Sequence, residues 1–268
     1  MLVTGAASGI GRATALAFAA EGANLILADI NEEGLKSVTE KIERLGRRAI
    51  CVRTDVSKPE DVAALAQVSI KEGGGVDVLM NNAGVGLGAL IRDMDPADWE
   101  WIMGINLWGA IYMIYHLLPQ MIERGSGHII NLASGAGLVA IPVLGAYSTT
   151  KFALVGLSGA MRAELAHHNI GVSVVCPGVI RTPIFQTGKV KGLSLEVKEV
   201  PGWIGITPEK AAKAIIKGVK RNQARIIITP LMKVLAIVNS LLPGLVRAVN
   251  RRMAKRIEKE LRVKDNSG

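Results

Sequence analysis

Apolar residues in this chain fall into two alternating rhythms. Short, nearly unbroken apolar runs occupy residues 1–4, 24–29, 48–56, the centre of 73–84, 127–134, 171–178 and 225–229. Between them lie stretches whose apolar positions recur every three to four residues. These are 10–22, Glu32–Leu45, Pro59–Lys71, Trp99–Met121, Tyr147–His168 and Pro208–Arg221. The second rhythm predicts amphipathic helices. The first predicts strands, and runs without polar alternation predict strands covered on both faces, as in a parallel sheet. Strand after helix after strand requires crossover connections of one hand. The expectation is an α/β fold: one doubly wound, mostly parallel sheet of about seven strands with helices on both faces. No linker rich in Pro, Gly or Ser divides the chain, and no internal repeat has a fixed period. Two segments break the alternation: 183–206, of mixed character, and 231–268, apolar and then basic. A main unit over 1–230 with a C-terminal extension is therefore expected.

Composition narrows this only a little. The chain has 268 residues, 49% apolar and 21% charged, the profile of a globular protein with a large core. Thirty-two basic residues against 23 acidic ones give a net charge of +9. Such an excess suits nucleic acid, a membrane surface or an anionic substrate. Aromatics at 4% are too sparse for a base-stacking platform. Cys51 and Cys176 each sit in an apolar run and are expected to be buried free thiols, which favours a reducing, cytoplasmic compartment. No signal peptide opens the chain, and the first strand is short enough to expect a few further residues before it. No run of about 18 uninterrupted apolar residues marks a spanning helix.

The chemistry begins at "VTGAASGIGRA". Gly5, Gly9 and Gly11, with Ser8 and Ile10 among them, stand between the first strand and the first helix. Glycines there allow a tight turn and close approach of a pyrophosphate to backbone N–H groups at a helix N-terminus. Asp29, followed by Ile30, ends the next strand 18 residues after Gly11. An acid at that place binds adenosine ribose hydroxyls and repels the extra phosphate of NADP. It could instead cap the following helix. Further on, Tyr147 and Lys151 stand one helical turn apart, on one face. A phenol is largely protonated at neutral pH, and a nearby ammonium favours its ionised form. The pair could be an acid/base group with its tuning charge, or an ordinary surface pair.

"TGAASGIG", "NNAG" at Asn81–Gly84 and Tyr147-x-x-x-Lys151, in that order, resemble the short-chain dehydrogenase/reductase family, and the match extends from residue 2 to about 183. Ser134 lies 13 positions before Tyr147, Asn106 falls in "MGINLWGA", and "CPGVIRTP" follows the sixth strand. The resemblance implies an NAD- or NADP-dependent oxidoreductase, and Asp29 favours NAD as the cofactor. The resemblance makes Tyr147 the general acid/base, with Lys151 lowering its pKa and holding the nicotinamide ribose. Ser134 would position the substrate oxygen, and Asn106 a proton-relay water. Asp55 and Val56 would meet the adenine, and Asn82, Ala83 and Gly84 the adenine-side ribose region. Pro177, Gly178, Val179 and Thr182 would meet the nicotinamide end and the phosphates. The family's usual second serine is Ala133 here.

On the substrate side, "LVAIPVL" at residues 138–144 is strongly apolar. The family's lid region corresponds to 183–206. Leu138, Leu144, Ile184, Phe185 and Trp203, with Ser134 and Tyr147, are the expected substrate contacts, and they favour a hydrophobic alcohol or ketone. The alternatives are an NADPH-dependent ketoreductase of carrier-bound acyl groups, against which Asp29 argues, and a non-enzymatic NAD sensor, which would have no need of Tyr147 or Lys151. The expected assembly is a homodimer or homotetramer, without nucleic acid. No metal is expected, since His116, His128, His167 and His168 lack ligand spacing. Asp93, Asp95 and Asp98 read as the start of a helix after Pro96. Trp99, Trp101 and Trp108 read as core or subunit contacts.

The tail departs from the family pattern. Leu245, Val249, Met253, Ile257 and Leu261 repeat every four residues, with Arg247, Arg251, Arg252, Lys255, Lys259 and Arg262 on other faces. This basic amphipathic helix predicts peripheral membrane contact or an apolar stripe packed on the domain or a second subunit.

Overall fold

The computed structural model describes residues 1–180, 188–192 and 205–265, with side chains in the last helix described as far as 259. Seven strands form one parallel sheet: β1 (Leu2–Thr4), β2 (Leu25–Asp29), β3 (Ala49–Arg53), β4 (Val78–Asn81), β6 (Gly127–Leu132), β7 (Ile170–Cys176) and β9 (Arg225–Ile227). Their order is β3-β2-β1-β4-β6-β7-β9, so the direction of winding reverses between β1 and β4. A small second sheet pairs β5 (Leu87–Gly88) with β8 (Lys189–Val190), a feature the hydrophobic pattern did not reveal.

The unbroken apolar strands do what their pattern predicts. In β2, Leu25 and Leu27 face a cluster built with α1 (Gly9–Ala20), α2 (Glu32–Arg44) and α7 (Pro208–Lys220). Ile26 and Ala28 face the opposite cluster, built with α3 (Pro59–Lys71), α5 (Gly109–Arg124) and α6 (Gly145–Glu164). Each buried aliphatic side chain contributes about 1.5–3 kcal/mol of transfer free energy. Strand β3 is the exception. It lies at the sheet edge, and Cys51 on it is exposed, against expectation, whereas Cys176 is buried.

The helix expected over Trp99–Met121 is three pieces. α4 (Pro96–Met103) runs through a π-helical turn, Gly104–Trp108, into α5. Asp95 and Asp98 form a reciprocal capping box at the start of α4, as the aspartates beside Pro96 suggested. The run Pro96–Arg124 is long and apolar enough to cross a membrane by composition. Its Met113, Leu117 and Met121 are instead fully buried against the sheet.

After β9 come α8 (Pro230–Leu241) and α9 (Pro243–Asp265), bent 112° to one another. The four-residue row starting at Leu245 does not form one face. Each step of four turns about 40° past a full circle, so Leu245 and Ile257 diverge by about 120°. Leu245 and Val249 are exposed, while Met253 and Ile257 are half-buried, and the body-facing row is Val246, Asn250, Met253, Ala254, Ile257. Leu261 and Arg262 lie beyond the described side chains.

Candidate active site

The glycine turn sits where the sheet reverses direction, the place where α/β folds open a crevice at the strand ends. Gly5 has φ +64°, and a Cβ there would come within 2.7 Å of Asn82 Nδ2. A Cβ on Gly11 would come within 2.1 Å of the Gly5 carbonyl oxygen, so only glycine fits. The turn is pinned from β4. Asn82 Nδ2 donates to Thr4 O (2.8 Å) and Gly5 O (2.9 Å). Thr4 Oγ1 accepts from the N–H groups of Asn82 (3.0 Å) and Ala83 (3.1 Å). Ser8 is the N-cap of α1, and its side chain makes no capping bond. The first N–H groups of α1 have no partner within the helix, which leaves a positive backbone end beside the turn. These features fit a dinucleotide pyrophosphate.

Asp29 does not cap α2; Asn31 does, accepting from Gly34 N at 3.0 Å. Asp29 instead ties two loops together, accepting from Ala7 N (3.0 Å) and Asn31 N (3.0 Å). Ile30 beside it is largely exposed. At the end of β3, Asp55 Oδ1 accepts from Ser57 N (3.0 Å) and Ser57 Oγ (2.7 Å). Val56 is buried against Gly109.

Across the crevice, α6 presents Tyr147 and Lys151, and both are buried. The Ser134 hydroxyl, at the end of β6, is hydrogen-bonded to the Tyr147 phenol. Burial raises the phenol above its usual pKa, and the bond from Ser134 acts in the opposite direction. Lys151 Nζ lies 5.5 Å from the Tyr147 ring centroid and donates to Leu132 O at 3.0 Å. Burial brings its pKa down to about 8. Desolvation of the phenol thus outweighs the bond from Ser134 in the chain by itself. Asn106, in the π-turn, clamps Val85 by accepting from its N–H (2.8 Å) and donating to its carbonyl (3.0 Å). Its second amide hydrogen goes to Thr150 Oγ1 at 3.2 Å. A Cβ on Gly84 would lie 3.2 Å from Asn106 Oδ1 and 3.4 Å from Lys151 Nζ, so Gly84 separates the two side chains.

Ser134, Tyr147, Lys151 and Asn106 thus converge. Leu144 packs with Ile141, Val85, Met94, Trp99 and Trp101 in the apolar cluster that holds Tyr147. Leu138 belongs to a different cluster, with Ala110, Ala133 and Leu154. Trp108 is half exposed. Pro177 accepts through its carbonyl from Gly135 N at 2.7 Å, and Val179 beyond it is exposed. Thr182, Ile184, Phe185 and Trp203 lie outside the described residues. Three residues that pattern reasoning missed contribute here. Thr4 pins the turn, Thr150 joins Asn106 to the Tyr147 carbonyl (2.8 Å), and Met232 of α8 fills a notch made by Gly135 and Gly178. Their partners are remote in sequence or on the backbone, which no short motif records.

The chain matches the model of the short chain dehydrogenase family over residues 1–191. It belongs to that family. Solved short-chain dehydrogenases superpose over most of the molecule. One from Burkholderia phymatum in complex with NAD has a TM-score of 0.81 at 29% identity, covering 91% of this chain and 93% of that one. A 3-ketoacyl-ACP reductase from Sinorhizobium meliloti has a TM-score of 0.76 at 30% identity, covering 85% and 96%. Among curated proteins, the 3-oxoacyl-[acyl-carrier-protein] reductase FabG of Thermotoga maritima is 34% identical over 216 residues, 80% of this chain and 87% of FabG. The probable oxidoreductase EphD of Mycobacterium tuberculosis is 34% identical over 260 residues, 93% of this chain. The chain spans only 44% of EphD's length. The chain thus has the NAD(P)-binding, Rossmann-like fold of a family of oxidoreductases.

Proposed function

We propose that the protein interconverts a hydrophobic secondary or primary alcohol and its carbonyl compound, with NAD(H) as cofactor. The observation that carries this is the Ser134–Tyr147–Lys151 group, with Tyr147 and Lys151 buried and Tyr147 set in an apolar cluster. Bound at the glycine turn, NAD would accept or supply the hydride. The chain's residues do the rest. Tyr147 Oη exchanges the hydroxyl proton, and Ser134 orients the reacting oxygen. Lys151, still mostly protonated at neutral pH with its pKa near 8, would stabilise the phenolate that takes the alcohol's proton, leaving Tyr147 as the neutral phenol. It would also hold the nicotinamide ribose. Asn106 holds the Val85 backbone beside Lys151 and would position a relay water. Gly5, Ser8, Gly9, Ile10 and Gly11 would cradle the pyrophosphate. Asp29 would take the ribose hydroxyls and exclude a 2′-phosphate. Ile141 and Leu144 favour an apolar substrate. Exposed Trp108, Tyr115 and Phe152 support a homo-oligomer built on α5 and α6.

The likeness to FabG and to the Sinorhizobium reductase favours a second reading, reduction of carrier-bound 3-oxoacyl groups. Asp29 opposes it to the extent that such an enzyme uses NADPH. One experiment separates the two: hydrophobic alcohols with NAD⁺ or NADP⁺, and 3-oxoacyl thioesters with NADH or NADPH, followed at the reduced-nicotinamide absorbance. Tyr147→Phe should abolish turnover in whichever assay is positive while NADH still binds. Retention of more than a few per cent of kcat would remove Tyr147 as the acid/base.

A further inference from the structure

The tail has two unlike sides. Inward, it is fixed to the rim of the crevice. Met232 fills the Gly135–Gly178 notch, Asn239 Nδ2 donates to Leu138 O (3.1 Å), Asn250 Nδ2 donates to Ala140 O (2.8 Å), and Arg92 pairs with Glu258 (2.7 Å). Outward, α8 and its bend into α9 present Leu231, Val234, Ile237, Leu241, Leu242 and Leu245, each more than half exposed and Leu241 at 74%. Isolated exposed leucines are ordinary, but a contiguous set on one bend marks a contact surface. Exposed Arg247, Arg251, Arg252, Lys255 and Lys259 follow on α9. Nine of the chain's 32 basic residues lie after residue 229, against three of its 23 acidic ones.

We propose that this elbow is a docking surface for an anionic lipid bilayer. The leucines would enter the acyl boundary, with the arginines among the headgroups. Helix α8 has 12 residues, about 18 Å, too short to cross a hydrocarbon core of about 30 Å. The 112° bend prevents the two helices from forming one straight span. A second copy of the chain fits the surface less well, because a two-fold contact would bring the same cations together. Nucleic acid would leave the leucines wet. Docked this way, the 138–144 rim lies beside the lipid. The surface stands whether or not the proposed substrate class is right.

The test is co-sedimentation of the full chain with phosphatidylcholine vesicles, with and without phosphatidylglycerol, at low and high salt. Binding to the anionic vesicles at low salt, with partial release by salt, is expected. Arg247→Gln/Arg251→Gln/Arg252→Gln should weaken binding about 100-fold, at about fivefold per charge. Leu241→Ser/Leu242→Ser should remove the salt-resistant part. All five positions are exposed, so melting temperatures should be unchanged. No binding to anionic vesicles at low salt overturns the proposal, as does binding that both variants leave intact. A dimer by light scattering that Leu241→Ser/Leu242→Ser dissolves would assign the surface to a second copy and overturn it as well.

Discussion

Replacing Lys151 with methionine should make the protein more stable while ending its activity. Methionine is similar in length and volume and carries no charge. Among the described residues, buried Lys151 has one acceptor, Leu132 O, and its pKa falls from 10.5 to about 8 because burial penalises the ammonium. That drop corresponds to about 3 kcal/mol, at roughly 1.4 kcal/mol per pH unit. The unfolded chain binds this proton more tightly than the folded one, so the cost is fully present below pH 8. It is relieved as pH rises between about 8 and 10.5. Removing the lysine also orphans the Leu132 carbonyl, at about 1 kcal/mol. The net expectation for Lys151→Met at pH 7 is a gain of about 2 kcal/mol, or roughly 4–8 °C in Tm for a chain of this size. Urea denaturation of both proteins at pH 7 and at about pH 9.5 checks it. Comparing the two at each pH cancels the other titrating groups, and the gap should close by about 2 kcal/mol at the higher pH. A variant less stable than wild type at pH 7, or a gap indifferent to pH, would refute the reasoning.

Wild type should prefer NAD to NADP by at least about tenfold in kcat/KM, about 1.4 kcal/mol, and Asp29→Ala should narrow that gap; equal use of both cofactors by the wild type would count against Asp29. Gly11→Ala should cost about 1–3 kcal/mol in urea denaturation, since the new methyl meets the Gly5 carbonyl, and should weaken NADH binding in a fluorescence titration. His128 donates from Nε2 to Ser173 Oγ (2.8 Å), because that hydroxyl gives its own proton to Gln223 O (2.6 Å). Burial first, and then Arg162, bring its pKa from 6.5 to about 4. The unfolded chain therefore takes up this proton first, and up to about 3 kcal/mol of stability should be lost as pH falls from about 6.5 to 4. Acid-unfolding curves of His128→Gln should lack that component.

The sheet was legible because a strand such as Leu25–Asp29 must bury both faces, and its unbroken apolar run says so. Gly5, Gly11, Ser134, Tyr147 and Lys151 were legible because each motif's chemistry depends on spacing within a short stretch. The π-turn was not. One added residue rotates the helix by about 100°, yet the patterns on either side of Gly104–Trp108 each remain helical. Cys51 was misplaced because edge position follows from strand order, which no local run encodes. The tail was legible as a helix but not in its facing, which depends on drift along a four-residue repeat and on partners such as Leu138 and Ala140 more than 100 positions away.

The shape of the glycine turn is not stored in the glycines alone. Thr4 and Gly5 are held by the side chain and backbone of residues 82 and 83, a separation of 77 or more positions. As the chain emerges from the ribosome, the first helix is complete long before its nucleotide cradle can take form. A fragment ending before Asn82 should have no cradle to offer, however well β1 and α1 pair. Nucleotide binding stabilises only a state that already holds the site. The dinucleotide therefore meets a finished cleft during synthesis and cannot serve as the template on which the first half of the sheet is laid down.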